Sequence, residues 1–356
     1  MASKNMTLKN MTYMTFSRRH ILLAAVAAPA VIAGSRLGSA APAQMLKISH
    51  QFPGGTIDDG DFRDRVCLKF AAELEKRTSG AVGAQVYPNS SLMKTVPQFD
   101  AVRKGALDLS FYPISYAGGA FPELNIGLMP GVVTSYPQGA AWKKSPVGQK
   151  FSDFLASKGV IILSWIWQAG GMASRGNPIV NPDDAKGLKI RGGSREMDMV
   201  LQKAGATTLS TPSNELYQAM QTGACDAALT SSTSLISFRL EEVAKSLTTG
   251  RGKAYWFMLE PLIMSKQIFD KLPKAQQDIV MDLGAELEQF GTKEAVADDQ
   301  KVAEVYTKKG AKVADLTEAI VEKWRAIARV TAWKDYADRT PLSAELLKLA
   351  EAVNVS

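Results

Sequence analysis

From Met45 onward, short strand-like runs alternate with amphipathic helical runs, and this alternation most restricts the folds open to the chain. MLKIS at 45–49 reads as a strand. Residues 61–77 place Phe62, Val66, Phe70 and Leu74 four apart on one helical face. Gly80 ends that helix, and VGAQVYP at 82–88 alternates as a second strand. Thr95 can cap a further helix with Pro97 in its first turn, Gly105 closes it, and ALDLSFY at 106–112 follows as a third strand. Repeated units of this kind predict an α/β fold, a mostly parallel sheet with helices on both faces.

The plan recurs. AVRKGALDL at 101–109 resembles AMQTGACDA at 219–227, each a helix running into Gly, Ala, an apolar residue, Asp and a strand. The preceding segments, TVPQFD and STPSNELYQ, are both Ser/Thr–Pro helix starts. Two lobes of one design are expected. Between the copies, Val160 to Trp167 is a buried-strand run, and QAGGMASRGNP then loses periodicity, as a loop or crossover between lobes would. A second return is expected near TTGRGKAYWF, 248–257. From Pro273 to Lys309 no proline occurs, so this stretch is either two helices broken at Gly291 or one helix of about 55 Å that braces both lobes. LTEAIVEKWRAIARVTAWKDYAD reads as a last amphipathic helix with Trp324 and Trp333 on or near its apolar face. The expected division is lobe I at 44–167 and 255–297, and lobe II at 168–254 and 298–356 with the C-terminal helices.

GLKIRGGSREMD at 187–198 places an arginine where a strand runs out: Leu188 and Ile190 alternate with Lys189 and Arg191, two glycines follow, and Ser194 can cap the next helix. In open α/β sheets, ligands bind at such strand ends. Other polar and aromatic residues sit at similar places. Gln51 follows the first strand, Tyr112 ends the third, Trp167 and Gln168 lie at the first crossover, Thr230 and Ser231 end DAALTSS, and Trp256 and Phe257 lie at the second crossover. With Ser213 they make the lining expected of a cleft between two lobes.

The chain's +7 charge is concentrated at its start: residues 1–43 hold five of the 42 basic residues and none of the 35 acidic ones, so the rest nets about +2. No basic run remains there for nucleic acid. SRRHILLAAVAAPAVIAG places Arg18 and Arg19 before a 14-residue apolar run, with APA at 41–43 as a cleavage site. This is the pattern of an export signal, of twin-arginine or general secretory type, with a periplasmic destination. Cys67 and Cys225, the only cysteines, lie in apolar patterns, which excludes a disulfide scaffold. Outside the signal His50 is the sole histidine, and no nucleophile elbow, metal-ligand spacing or phosphate loop occurs. Neither catalysis nor a cofactor or metal is expected. An enzyme would need a second functional group near His50.

The sequence resembles the periplasmic solute-binding proteins of TRAP (tripartite ATP-independent periplasmic) transporters. The match is densest at 181–227: Pro182, Asp184, Lys186, Gly187, Lys189 and Arg191, then Glu215, Tyr217, Ala219, Gln221, Gly223 and Asp226. YPNSSL at 87–92 and GALDLS at 105–110 match as well. The resemblance implies a two-lobe flytrap with a long helix spanning both lobes, a small organic acid whose carboxylate pairs with Arg191, no catalysis, and delivery to membrane permease subunits. A monomer is expected. Two positions depart from the pattern. Gly171 stands where many members carry a second arginine, with Arg175 four residues on, either reaching the cleft or facing water. AALTSSTS replaces an asparagine–proline pair, which disfavours the usual four-carbon dicarboxylates and favours a hydroxy or sugar acid. The competing binding-module reading is an ATP-driven uptake protein, which lacks the long brace.

Overall fold

The computed structural model describes Pro42 and residues 44–353; the expected export signal lies outside the described residues. Twelve strands follow in chain order: β1 Gln44–Ser49, β2 Val82–Tyr87, β3 Leu109–Phe111, β4 Val160–Ser164, β5 Trp167–Ser174, β6 Lys189–Arg191, β7 Thr207–Thr208, β8 Ala227–Ser231, β9 Ser246–Thr249, β10 Phe257–Leu259, β11 Leu262–Ser265 and β12 Lys312–Asp315. They form two sheets, ordered β2-β1-β3-β11-β4 and β12-β9-β5-β8-β6-β7, with β10 added to β5.

The two sheets repeat one wiring, as the sequence echo predicts. In the first, β1 pairs parallel with β2 and β3, and β3 pairs antiparallel with β11. In the second, β6 pairs parallel with β7 and β8, and β8 pairs antiparallel with β5. The echoed Gly-Ala-x-Asp has one structural task in both copies. Gly105 and Gly223 turn the chain with φ of +71° and +78°, a conformation open to glycine. Asp108 Oδ2 then accepts the Lys47 N–H at 2.7 Å, and Asp226 Oδ2 accepts the Lys189 N–H at 2.9 Å. Each carboxylate, one residue before its own strand, ties that strand's start to the backbone of its parallel neighbour.

β5 and β10 are the crossovers, antiparallel to each other, with Leu259 opposite Trp167. The QAGGMAS stretch is therefore all but the first residue of a wholly buried central strand and not a loop. Its periodicity fails because both faces are covered. At Gly170 a Cβ would lie 2.3 Å from the Trp256 ring, and at Gly171 2.6 Å from Thr248 O. Packing leaves no room for a side chain at Gly171.

One unbroken 35-residue helix, Lys274–Lys308, spans about 52 Å. It packs on the Phe62–Arg77 helix and β4 at one end and on β9, β12 and the Ser232–Ser237 helix at the other. Gly291 does not interrupt it. Gly284 and Gly291 mark close approach: a Cβ would meet Leu163 O at 2.3 Å or Ile166 Cδ1 at 2.4 Å. The C-terminal segment is helical over Glu318–Ala328 and Lys334–Arg339, joined through a π turn at Arg329–Trp333, and Trp324 and Trp333 are buried. A final helix, Pro341–Glu351, follows. Pro341–Glu351 packs on the Pro146–Ser157 helix and the Pro122–Leu128 turn, and Tyr336 Oη donates to Glu123 O at 3.0 Å. The Glu318–Ala328 helix packs on Arg195–Lys203.

Candidate functional site

Arg191 ends β6 and is 1% exposed. Its Nε donates to Thr211 O at 3.0 Å, Nη1 to Leu229 O at 2.9 Å and Nη2 to Tyr116 Oη at 2.7 Å. Gly193, with φ of +97°, follows; a Cβ there would stand 2.9 Å from Nη1. The glycine therefore leaves the guanidinium its place. Ser194 caps the Arg195–Lys203 helix, its hydroxyl accepting the Met197 N–H at 3.1 Å. Trp256 lies flat over Gly170 and donates its indole N–H to Gly192 O at 3.0 Å.

Residues of the first lobe face this cluster. Tyr116 follows β3 in a short 3-10 turn, Ile114–Ala117. Its Oη accepts from Arg191 and also from the Ser213 N–H at 3.0 Å. Gln51 Nε2 donates to Ser213 Oγ at 3.2 Å, and Gln51 Oε1 accepts from Thr95 Oγ1 at 3.3 Å. Gln51, Tyr116, Arg191 and Ser213 thus meet across the two lobes. Beside them lies an interlobe depression of about 320 Å³, lined by Ser115, Tyr116 and Asn125 from one lobe and Ser194, Asp198 and Thr211 from the other. Burial pushes the Asp198 carboxyl up to about 7, against the pull of Arg191. Tyr116 was not among the sequence candidates, because the strand pattern ends at Tyr112. The Tyr112 hydroxyl turns away and donates to Val96 O at 3.0 Å.

Gln168 belongs to a second buried cluster, at the crossovers. Its Nε2 donates to Glu260, which also accepts from Arg63 Nη1 at 3.1 Å. Arg63 is fully buried, with Asp61 taking Nε at 2.9 Å and Nη2 at 2.6 Å. Burial raises the Glu260 carboxyl despite Arg63, whereas the same guanidinium holds Asp61 below the ordinary carboxylate range in spite of burial. Ser231 caps the Ser232–Ser237 helix and lies 3.4 Å from Arg63 Nη1. Thr230 is buried on β8 opposite Gly171.

The remaining candidates separate from these clusters. Trp167 and Phe257 point to the other face of the crossover strands. Trp167 packs edge-on to Trp142 at 4.9 Å, and Phe257 edge-on to Tyr136 at 5.0 Å. Arg175 follows the far end of β5, where Ser174 pairs with Ala227, and lines a different surface depression with Asp226 and Lys245. It does not reach the Arg191 cluster. His50 has a carboxylate neighbour: Nε2 donates to Asp64 Oδ1 at 3.1 Å and Nδ1 accepts the Phe52 N–H at 3.3 Å. Asp64 Oδ2 accepts the Gly55 N–H at 2.8 Å, so the pair shapes a turn. Among the described residues no hydroxyl or thiol bonds to His50, and no cluster suited to a metal ion occurs. Both cysteines are buried and free, and burial raises their thiols. No described helix is long and apolar enough to cross a membrane.

Comparison with known proteins agrees with this architecture. The family model for bacterial extracellular solute-binding protein, family 7, matches residues 59–339. A solute-binding protein of Albidiferax ferrireducens is 64% identical over 306 residues, which is 86% of this chain and 90% of that protein. The crystal structure of a TRAP periplasmic solute binding protein from Rhodoferax ferrireducens with bound malonate is 64% identical, has a TM-score of 0.85, and is covered over 98% of its length by 86% of this chain. A TRAP periplasmic solute binding protein from a Sulfitobacter species with bound β-D-galacturonate, 21% identical, shares the fold with a TM-score of 0.78 over 86% of this chain and 99% of its own. The chain therefore belongs to the bacterial extracellular solute-binding protein family 7, two-lobed binding proteins of the TRAP type.

Proposed function

We propose that this protein is exported to the periplasm, captures a small carboxylic acid between its lobes at Arg191, and delivers it to the permease subunits of a TRAP transporter. One observation carries the reading. Among the described residues two arginines are buried, Arg63 and Arg191, and they are provided for differently. Arg63 has two carboxylates, Asp61 and Glu260. Arg191, among the described residues, has no ion-pair partner, only two carbonyls and a phenol. A buried cation that no carboxylate pairs is costly unless one arrives, and Asp198, the acid that feels it, is pushed toward its neutral form by burial. Of its five N–H groups three are used, which leaves two for a carboxylate.

Tyr116 supports the same reading. Its oxygen already accepts two hydrogen bonds, so its own hydrogen is left to donate. A carboxylate at Arg191 supplies an acceptor. Gln51 and Ser213 join from opposite lobes, so a ligand touching them favours the closed form. Trp256 stands beside this space through its bond to Gly192 O, whereas Gln168 belongs to the Arg63 cluster and Arg175, Trp167 and Phe257 lie elsewhere. The malonate of the 64% identical relative suggests a short diacid and weighs against the larger hydroxy and sugar acids expected from the serine-rich stretch after Asp226. Family membership supports a TRAP permease partner rather than an ATP-driven one. The protein acts as a monomer in this scheme, without cofactor or catalysis. Thermal-shift screening of mono- and dicarboxylates tests it. Short diacids are expected to raise the melting temperature, and a set of neutral sugars or amines doing so instead would reject it.

A further inference from the structure

Arg63 touches three parts of the protein that belong to different bodies. On its own lobe, Asp61 accepts from Nε and Nη2. At the crossover, Glu260 accepts from Nη1 and also from Gln168. From the second lobe, the Ser231–Ser237 turn aims three hydroxyls at the same guanidinium: Ser234 Oγ lies 2.9 Å from Nη1, Ser231 Oγ 3.4 Å from Nη1, and Ser237 Oγ 3.3 Å from Nη2. The Phe52 ring lies 3.6 Å beneath the charge. The two carboxylates balance the cation by themselves. The serines are extra, and they come from the lobe that must swing away for a ligand to leave.

We propose that Arg63 and the Ser231–Ser237 turn form a latch that sets how long the lobes stay shut, so that Arg63 is a positioning residue for capture. It acts without touching the ligand, and it rests on the carboxylate-binding reading only for the choice of probe. A hydroxyl accepting from a buried cation is a charge-assisted bond, stronger than a neutral one. Opening exchanges these bonds for water.

The test uses the mature chain with Ser234→Ala and Ser237→Ala combined. Both positions are helical, alanine suits them, and the paired carboxylates of Arg63 stay in place. Stopped-flow tryptophan fluorescence with malonate is expected to show release about tenfold faster, with association within about twofold of the unaltered protein. Small-angle scattering without ligand is expected to show a larger radius of gyration for the variant. An unchanged release rate overturns the latch, and a lowered melting temperature with unchanged release makes Arg63 a structural anchor only. If malonate binds neither protein, the ligand assignment is what fails and scattering decides the latch: equal radii reject it.

Discussion

Replacing Arg191 by alanine separates a ligand-binding arginine from one that merely fills space. The side chain gives three hydrogen bonds to Thr211 O, Leu229 O and Tyr116 Oη, all at the interlobe surface. Losing those donors costs folding roughly 1 kcal/mol each where water replaces them. The variant therefore melts several degrees lower but folds. The effect on binding is larger. Removing one partner of a desolvated ion pair costs about 3–5 kcal/mol, or roughly two to four decades of affinity. Arg191→Lys restores the charge but not the fork of parallel N–H groups, so it recovers only part of this loss. Calorimetric titration with malonate measures both variants, and malonamide, the neutral counterpart, is expected to bind the unaltered protein about as poorly as malonate binds Arg191→Ala. Malonate affinity within threefold of the unaltered protein in a folded Arg191→Ala would refute the argument and make Arg191 a structural residue.

Three further outcomes follow from particular contacts. Asp198 is raised to about 7 by burial, so its folded form holds a proton that the unfolded chain releases nearer pH 4; stability is lost as pH rises through that window. Asp198→Asn is therefore expected to gain on the unaltered protein in melting temperature between pH 5 and pH 8, and a constant gap would remove the charge from the account. At Gly284 a methyl group would press on the Leu163 carbonyl, so Gly284→Ala, which favours an exposed helix by about 1 kcal/mol, is expected here to destabilise by about 1–3 kcal/mol in urea unfolding; a stabilised variant would mean the brace does not sit that close. Replacing Arg18 and Arg19 by lysine is expected to leave uncleaved protein in the cytoplasm, read by fractionation, and normal export would point to the general secretory route.

What the sequence disclosed was what local pattern can encode. The strand ending at Arg191, the cap at Ser194 and the repeated Gly-Ala-x-Asp were legible because each is written within a few residues, while the brace was one of two readings of a proline-free run. Arg63 was not. It stands in the charged run Arg63-Asp64-Arg65 at the start of a helix, where exposure is the ordinary reading, and Glu260, which makes its burial tolerable, lies 197 positions away. Tyr116 was missed because it follows the last alternating residue, in a 3-10 turn without a periodic signal. Trp167 and Gln168 were read as one lining pair, but adjacent strand residues face opposite ways, and only Gln168 turns to the buried cluster. Gly171 fell in the stretch read as a loop or crossover, and Gly291 was the one place where the long helix was open to a break. They are points of contact, which only the packed neighbour reveals.

A small carboxylate sitting on Arg191 is expected to close this protein, and the crystal structure of its malonate complex puts this to the test. The lobes are expected to be closed, with one carboxylate held by the free Arg191 N–H groups and by Tyr116 Oη, at about 2.7–3.1 Å. Malonate bound away from Arg191, or at the Arg175 depression with the interlobe space filled by water, would contradict it.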